Sequence, residues 1–224
     1  MLAFVTSLIV TSTVLSKGCP DPISIQDPAL ATEFRLSQFV GEPYYELALH
    51  DYTQPKTCGC TRSLKSVSTP DEASYTYLHD NFTQICPWVT DQPNRGRLYI
   101  SDLSFNFTEN AGILHGHWDV TSDLIFPDTV VAVGWPEKAG DPYRWALEMQ
   151  CVEDNDSIIF VGINFYSRAR VGPDAEKNYW EMYNAGLEYG IDEYWGGDDG
   201  LRRLDHTGCW YDNKPTPSET EFMF

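Results

Sequence analysis

Few groupings in this chain have the residue types and spacing that chemistry requires. His115-Gly-His117 puts two imidazoles on one side of an extended strand, with Asp119 next along the same face. That is half of a metal site, and with no third ligand at a matching spacing no metal is expected. Glu46 and His50 fall on one face of a first strand together with Tyr44. They can act there as an acid/base couple or serve as hydrogen-bonded polar lining. Ser101 and Ser167 lack the Gly-x-Ser-x-Gly elbow of a serine nucleophile, and no Gly-rich phosphate loop precedes a helix. Cys58-Gly-Cys60 lacks the second pair of soft ligands that zinc needs.

Since catalytic machinery is sparse, the elements that position these residues carry the functional argument. Alternation and turn signals predict eight strands: Pro43 to Asp51, Thr61 to Ser68, Ala73 to Thr83, Gly96 to Asp102 with an extension toward Thr108, Ile113 to Thr121, Val130 to Trp135, Tyr143 to Glu153, and Ser157 to Arg168. The breaks between them, Phe126-Pro-Asp among them, are rich in turn formers. One helix follows, about residues 173–190, with Pro173 suited to its first position and Gly190 to its stop. Tyr179, Met182, Tyr183, Gly186 and Leu187 form its apolar stripe. The fold class is therefore all-β, an eight-stranded up-and-down antiparallel barrel with one C-terminal helix packed outside, and a tail over 191–224.

Strand faces suggest a lining. In the fifth strand Leu114, Gly116, Trp118 and Val120 share the face better suited to the interior. In the seventh, Trp145, Leu147, Met149 and Cys151 line up against Ala146, Glu148 and Gln150. The candidate ligand-binding residues are Glu46, His50, Tyr99, Leu114, Trp118, Trp145, Asn164 and Tyr166. Seven Trp and 13 Tyr suit aromatic walls around an elongated or planar apolar molecule, or simply fill a core.

Residues 1–16 carry no charged side chain, are mostly apolar, and end in Val14-Leu15-Ser16, which reads as a secretory signal ahead of one domain over 17–224. Six cysteines and the sequons at Asn81, Asn106 and Asn155 agree with a secreted or secretory-lumen protein. The cysteines are Cys19, Cys58, Cys60, Cys86, Cys151 and Cys209, an even count from which three disulfides are expected. A net charge of −18 with 15 scattered basic residues argues against nucleic acid and anionic membrane surfaces. No transmembrane segment and no cofactor are expected, and the chain reads as a monomer or weak dimer.

Three stretches in order resemble the lipocalins. Gly41-Glu-Pro-Tyr-Tyr-Glu-Leu-Ala48 is similar to the family's first motif, Asp141-Pro-Tyr-Arg-Trp-Ala-Leu147 to its second, and Phe165-Tyr-Ser-Arg168 to its third. The motif's usual Trp is Tyr44 here, Gly41 falls one residue early, and Pro43 is inserted. The resemblance implies structural roles for Gly41, Tyr44, Tyr45, Asp141 and Arg168, with Arg168 over the Tyr44 ring at the closed end of the barrel. The cysteines resemble the branch containing apolipoprotein D and bacterial and plant lipocalins. That branch implies Cys19–Cys151 and Cys60–Cys209, which leaves Cys58 and Cys86 to pair.

The resemblance implies a secreted carrier of a small hydrophobic ligand, such as a fatty acid, retinoid or carotenoid, rather than an enzyme. The alternative is a lipocalin-fold enzyme acting on a lipid or carotenoid, of the isomerase or de-epoxidase type. It requires Glu46, His50 or Asp119 to point inward beside a polar partner. Capture of a cationic amine is a third reading, motivated by the acidic charge alone.

Overall fold

The computed structural model describes residues 18–68, 77–86, 97–107, 112–118, 125–155, 157–196, 200–209 and 211, without the side chains of 77, 97–107, 114–118 and 125–126. The strands are β1 (Pro43–His50), β2 (Gly59–Ser68), β3 (Tyr77–Cys86), β4 (Arg97–Phe107), β5 (Ile113–Trp118), β6 (Ile125–Val133), β7 (Trp145–Asp154) and β8 (Ser157–Ser167). Each pairs antiparallel with the next, and β1 closes the barrel by pairing with both β2 and β8. A two-residue β9 (Arg202–Arg203) then adds to β1 at Ala48 and Leu49.

One predicted turn is strand. Phe126, Pro127 and Asp128 lie within β6, paired with β5. Proline is tolerated there because the register with β7 begins only at Asp128, so β6 has one neighbour at that position and a missing N–H need not break a ladder.

Helix α3 spans Pro173–Glu188, with Gly172 before it at φ 84° and Gly190 just beyond it at φ 72°. It buries Ala175, Asn178, Tyr179, Met182, Ala185 and Gly186, whereas Leu187, expected in the stripe, is 48% exposed. Polar bonds set this rotation. Asn178 donates to Ser167 Oγ (2.9 Å), while Arg144 and the Trp145 indole donate to Glu181 (2.9 and 2.6 Å). Glycine at 186 answers a close approach, because a Cβ there would stand 2.6 Å from the buried Trp195 ring.

Two apolar clusters result. One lies between the barrel wall and α3 and contains Leu147, Met149, Ile163, Phe165, Tyr179, Met182 and Trp195. The other fills the barrel's closed end beneath two short helices, α1 (Leu30–Glu33) and α2 (Leu36–Phe39). It includes Phe34, Phe39, Tyr44, Tyr143 and Tyr166. Sequence patterning missed both short helices, since four residues are too few to show a period.

Arg168 ties that end together. Its guanidinium lies 4.0 Å from the Tyr44 ring and donates to the carbonyls of Tyr143 (2.9 Å), Phe39 (3.2 Å), Gln38 (3.3 Å) and Glu42. Gly41 N donates to Lys65 O (2.9 Å), and Gln38 Nε2 donates to Asp141 O (2.7 Å). Three disulfides staple the wall: Cys19–Cys151, Cys58–Cys86 and Cys60–Cys209.

Two stability outcomes follow from this packing. Arg168→Ala should cost about 2–3 kcal/mol by stripping charged donors from several carbonyls, and Arg168→Lys should restore only part of it. Gly186→Ala, which in an exposed helix would gain about 1 kcal/mol, should lower the melting temperature here because Trp195 has nowhere to go. Thermal unfolding of the three variants checks both, and a stabilised Gly186→Ala would overturn the packing account.

Candidate functional site

The interior face of the barrel follows from strand alternation. β1 contributes Tyr44 and Glu46, β2 Ser63 and Lys65, β3 Asp80 and Phe82, β6 Asp128 and Val130, β7 Ala146, Glu148 and Gln150, and β8 Asn164 and Tyr166. Every one of these is buried. Among the described residues the inner wall is therefore largely polar, with the Tyr44 and Tyr166 rings toward the closed end.

Lys65 is its hub. Nζ stands 2.7 Å from Asp80 Oδ2 and 3.2 Å from Glu148 Oε1, over the faces of Tyr166 (4.9 Å) and Phe39 (5.5 Å). Ser63 Oγ donates to the other Asp80 oxygen at 2.6 Å. Burial opposes the charge on Lys65, but Asp80, Glu148 and Asp128 outweigh it and hold the ammonium above the ordinary lysine range. For Asp128 burial comes first and the Glu148 charge second, and together they push its carboxyl well up against the pull of Lys65. Burial likewise raises Glu148, although Lys65 opposes it.

Glu46 forms a second polar point. Its Oε1 accepts from Asn164 Nδ2 (2.6 Å) and from Gln54 Nε2 (3.1 Å), a residue of the β1–β2 loop. Burial pushes its carboxyl up to about 8, against those two hydrogen bonds. The same loop lies at the mouth, where the Tyr52 hydroxyl donates to Ile159 O (3.1 Å) and its ring meets Phe160 edge-on. Cys58–Cys86 and Arg202, which donates to the carbonyls of Lys56 and Cys58, pin the loop's far end.

Two sequence expectations are corrected. Glu46 and His50 do not share a face, because the β1 register shifts between Glu46 and Ala48. His50 pairs with Ile163, of the outer cluster, and its Nδ1 meets Gly200 O at 2.8 Å. Trp145 is not in the lining either. It belongs to the outer cluster beneath α3, hydrogen-bonded to Glu181, while Ala146, Glu148 and Gln150 take the interior. β7 is buried on both faces over its first eight residues, so hydrophobicity alone could not orient it, and its apolar face went to the helix.

Asn164 and Tyr166 lie inside with Glu46, and Tyr45 lies on the outer side against Tyr211 and His206. Tyr99, Leu114 and Trp118 hold strand positions, but their side chains lie outside the described residues, as do those of Ser101, Asn106, His115 and His117. Asp119 and the segment 1–16 also lie outside them. Asn155 is exposed in the β7–β8 turn at φ 48°, and Asn81 is half-buried in β3.

Sequence reasoning missed Lys65, Asp80 and Asp128, and set Glu148 on the wrong side of the wall. A signal existed in β2. Ser63 and Lys65 are buried while Leu64 between them is 36% exposed, an inverted pattern whose polar face points in. Reading Phe126-Pro-Asp as a turn removed Asp128 from consideration.

No family model matches the chain, and no curated protein matches it in sequence. Solved structures do. Apocrustacyanin C2 matches over 85% of this chain and 89% of its own, at a TM-score of 0.55 and 14% identity. H1 crustacyanin from the lobster Homarus americanus matches over 85% and 87%, at 0.56 and 12%. Insecticyanin from the tobacco hornworm Manduca sexta matches over 88% and 91%, at 0.53 and 14%. The chain has the lipocalin fold. At such identities the likeness is one of fold, and the site must be argued from this lipocalin barrel's own residues.

The buried carboxyl of Glu46 has a pH signature. It stays protonated in the folded state up to about pH 8, whereas in the unfolded chain it ionises near 4.5, so the folded state binds more protons between those values. Its contribution to stability therefore falls as pH rises through that window and levels off above it. Glu46→Gln cannot ionise, so its melting temperature should gain on the wild type progressively from pH 5 to 8, by the equivalent of a few kcal/mol. Parallel melting curves that stay a constant distance apart would show that Glu46 is not held protonated.

Proposed function

We propose that this protein is a secreted lipocalin that carries a small molecule inside its barrel. In this reading residues 1–16 are a removed signal, Asn81, Asn106 and Asn155 carry glycans, and the protein works as a monomer or weak dimer. The three disulfides favour an oxidising compartment, and two of them, Cys19–Cys151 and Cys60–Cys209, are the pairs that the resemblance to the apolipoprotein D-like branch implies. Among the described residues no helix is long and apolar enough to cross a membrane.

The observation that carries the reading is the lining itself. Among the described residues the inner wall carries the rings of Tyr44, Phe82 and Tyr166 beside buried polar side chains. Such a wall suits a ligand with an apolar or aromatic body and a polar group. A pure hydrocarbon chain would cover Glu46, Asp80, Asp128 and Glu148 without replacing their lost hydration. A fatty acid would bring a fourth carboxylate to the three already around Lys65.

One observation favours the enzyme alternative. Glu46 points inward between Asn164 and Gln54 and is protonated near neutral pH, as a general acid must be. Against it, His50 lies on the opposite face and supplies no partner for proton transfer.

Native mass spectrometry of the intact protein, incubated with retinoids, fatty acids, sterols and arylalkyl compounds, separates the readings. A carrier should show one bound molecule per barrel, released after prolonged incubation with unchanged mass and unchanged chromatographic retention, because an isomer has the same mass. Release of an altered product, abolished by Glu46→Gln while binding persists, would establish the enzyme instead. A panel with no bound species at all would overturn the carrier.

A further inference from the structure

We infer that the polar middle of the barrel is a binding site for a small organic ammonium ion, held by the carboxylates of Asp128 and Glu148. This rests on the carrier reading and names the class of its cargo.

The charges around Lys65 do not balance. Three carboxylates, Asp80 of β3, Asp128 of β6 and Glu148 of β7, surround one ammonium, and all four residues are at most 3% exposed. Lys65 is committed to Asp80 at 2.7 Å and to Glu148 at 3.2 Å. Asp128 is left over. Neither of its oxygens receives a hydrogen bond of ordinary geometry, although the Gln150 amide beside it favours the charge. Buried polar groups are ordinarily paired, so two unpartnered carboxylate oxygens in a barrel interior mark a place for donors and positive charge.

An ammonium group supplies both, with three N–H donors and one charge. Asp128 and Glu148 can share it, because they sit on paired strands: Asp128 opposes Gln150 and Val130 opposes Glu148 on the same face. Among the described residues no three His, Cys, Asp or Glu side chains are grouped to hold a metal ion, which favours an organic cation. The surroundings already accommodate one cation over aromatic faces, since Lys65 lies 4.9 Å from the Tyr166 centroid. Phe82 and Val130 of the inner cluster offer apolar surface to the body of the ligand. An arylalkylamine has the matching chemistry, a ring at one end and an ammonium at the other.

Burial favours the protonated form of the acids when the site is empty. Burial raises Asp128 and Glu148 and the Glu148 charge raises Asp128 further, with Lys65 opposing and Asp80 reinforcing, while among the described residues Glu46, Tyr44 and Tyr166 are the other titratable groups on the inner wall. A bound ammonium favours the ionised carboxylates, so binding should release protons and tighten as pH rises from 6 to 8.

Isothermal titration of the full disulfide-bonded protein tests this with phenethylamine, the uncharged phenethyl alcohol and the anionic hydrocinnamate, at both pH values and in buffers of different ionisation enthalpy. The amine should bind in preference to the other two, more tightly at pH 8, with net proton release. Asp128→Asn, which keeps shape and removes only charge, should weaken the amine roughly ten- to hundred-fold, the worth of a charge-assisted hydrogen bond, and leave the alcohol unchanged. Retained cooperative unfolding of that variant shows that the loss is not one of fold. Equal binding of alcohol and amine, amine binding indifferent to Asp128→Asn, or preference for the anion would each overturn the inference while leaving a carrier in place. Failure of all three probes overturns the inference too, and the carrier reading then stands or falls on the wider panel of native mass spectrometry.

Discussion

The guanidinium of Arg168 is where segments far apart in sequence become one end of a barrel. Among the described residues it meets no carboxylate. It donates instead to carbonyls of the α2 region, of the approach to β1 and of Tyr143, and its flat face covers the Tyr44 ring. A planar fork with five donors can satisfy several carbonyls at once, which a lysine cannot. With that end fixed, the arm at 34–42 stays beneath the barrel and the inner wall is sealed from solvent on one side. Tyr143 shows the dependence directly: it is fully buried, its hydroxyl accepts from Arg35 N (2.7 Å), and its carbonyl receives Arg168. Tyr44 supplies the ring face that this guanidinium covers, 4.0 Å from its centroid.

A sealed wall makes the polar interior costly. Four carboxylates and one lysine within the barrel lose hydration that one ammonium cannot replace, and well-packed hydrophobic residues in their place would ordinarily give an equal or more stable barrel. The cluster is thus poorly explained as a stabilising device. Ser63 and Asn164 orient Asp80 and Glu46 by single short hydrogen bonds, and these keep the acids at defined positions whether or not they are charged. Fixed position together with unmet charge is the condition for recognising a polar ligand.

Much of the architecture was legible in the chain. The strands show as alternating runs between turn formers, and the helix shows as a stripe bounded by Pro173 and Gly190, because both patterns repeat over enough residues to be read. The candidate site was less legible, for three physical reasons. The bulge in β1 adds one residue to the count, which moves His50 to the outer face while Glu46 stays inside, and nothing in the local sequence announces it. β7 is buried on both sides, so its apolar face is not its inner face. Pro127 resembles a turn former although it sits in a ladder. Each case is a tertiary choice overriding a local preference, and each falls on a strand that lines the interior.

The location of stabilising contacts explains how such an interior is tolerated. Among the described residues the larger apolar cluster lies outside the barrel, between its wall and α3, and it takes in the indoles of Trp145 and Trp195. The segment after α3 then returns along β1. β9 pairs with Ala48 and Leu49, His206 Nε2 meets the Glu46 carbonyl at 2.7 Å, and Cys209 is bonded to Cys60. Cys19–Cys151 and Cys60–Cys209 close spans of 132 and 149 residues, which in the chain-entropy view removes on the order of 4–5 kcal/mol of unfolded-state freedom for each. A barrel held from outside by a helix, a returning tail and cross-links does not need an oily interior to stay folded. The inner wall can then hold residues chosen for what they bind, and Glu46 joins the two layers: its backbone anchors the tail while its side chain faces the site.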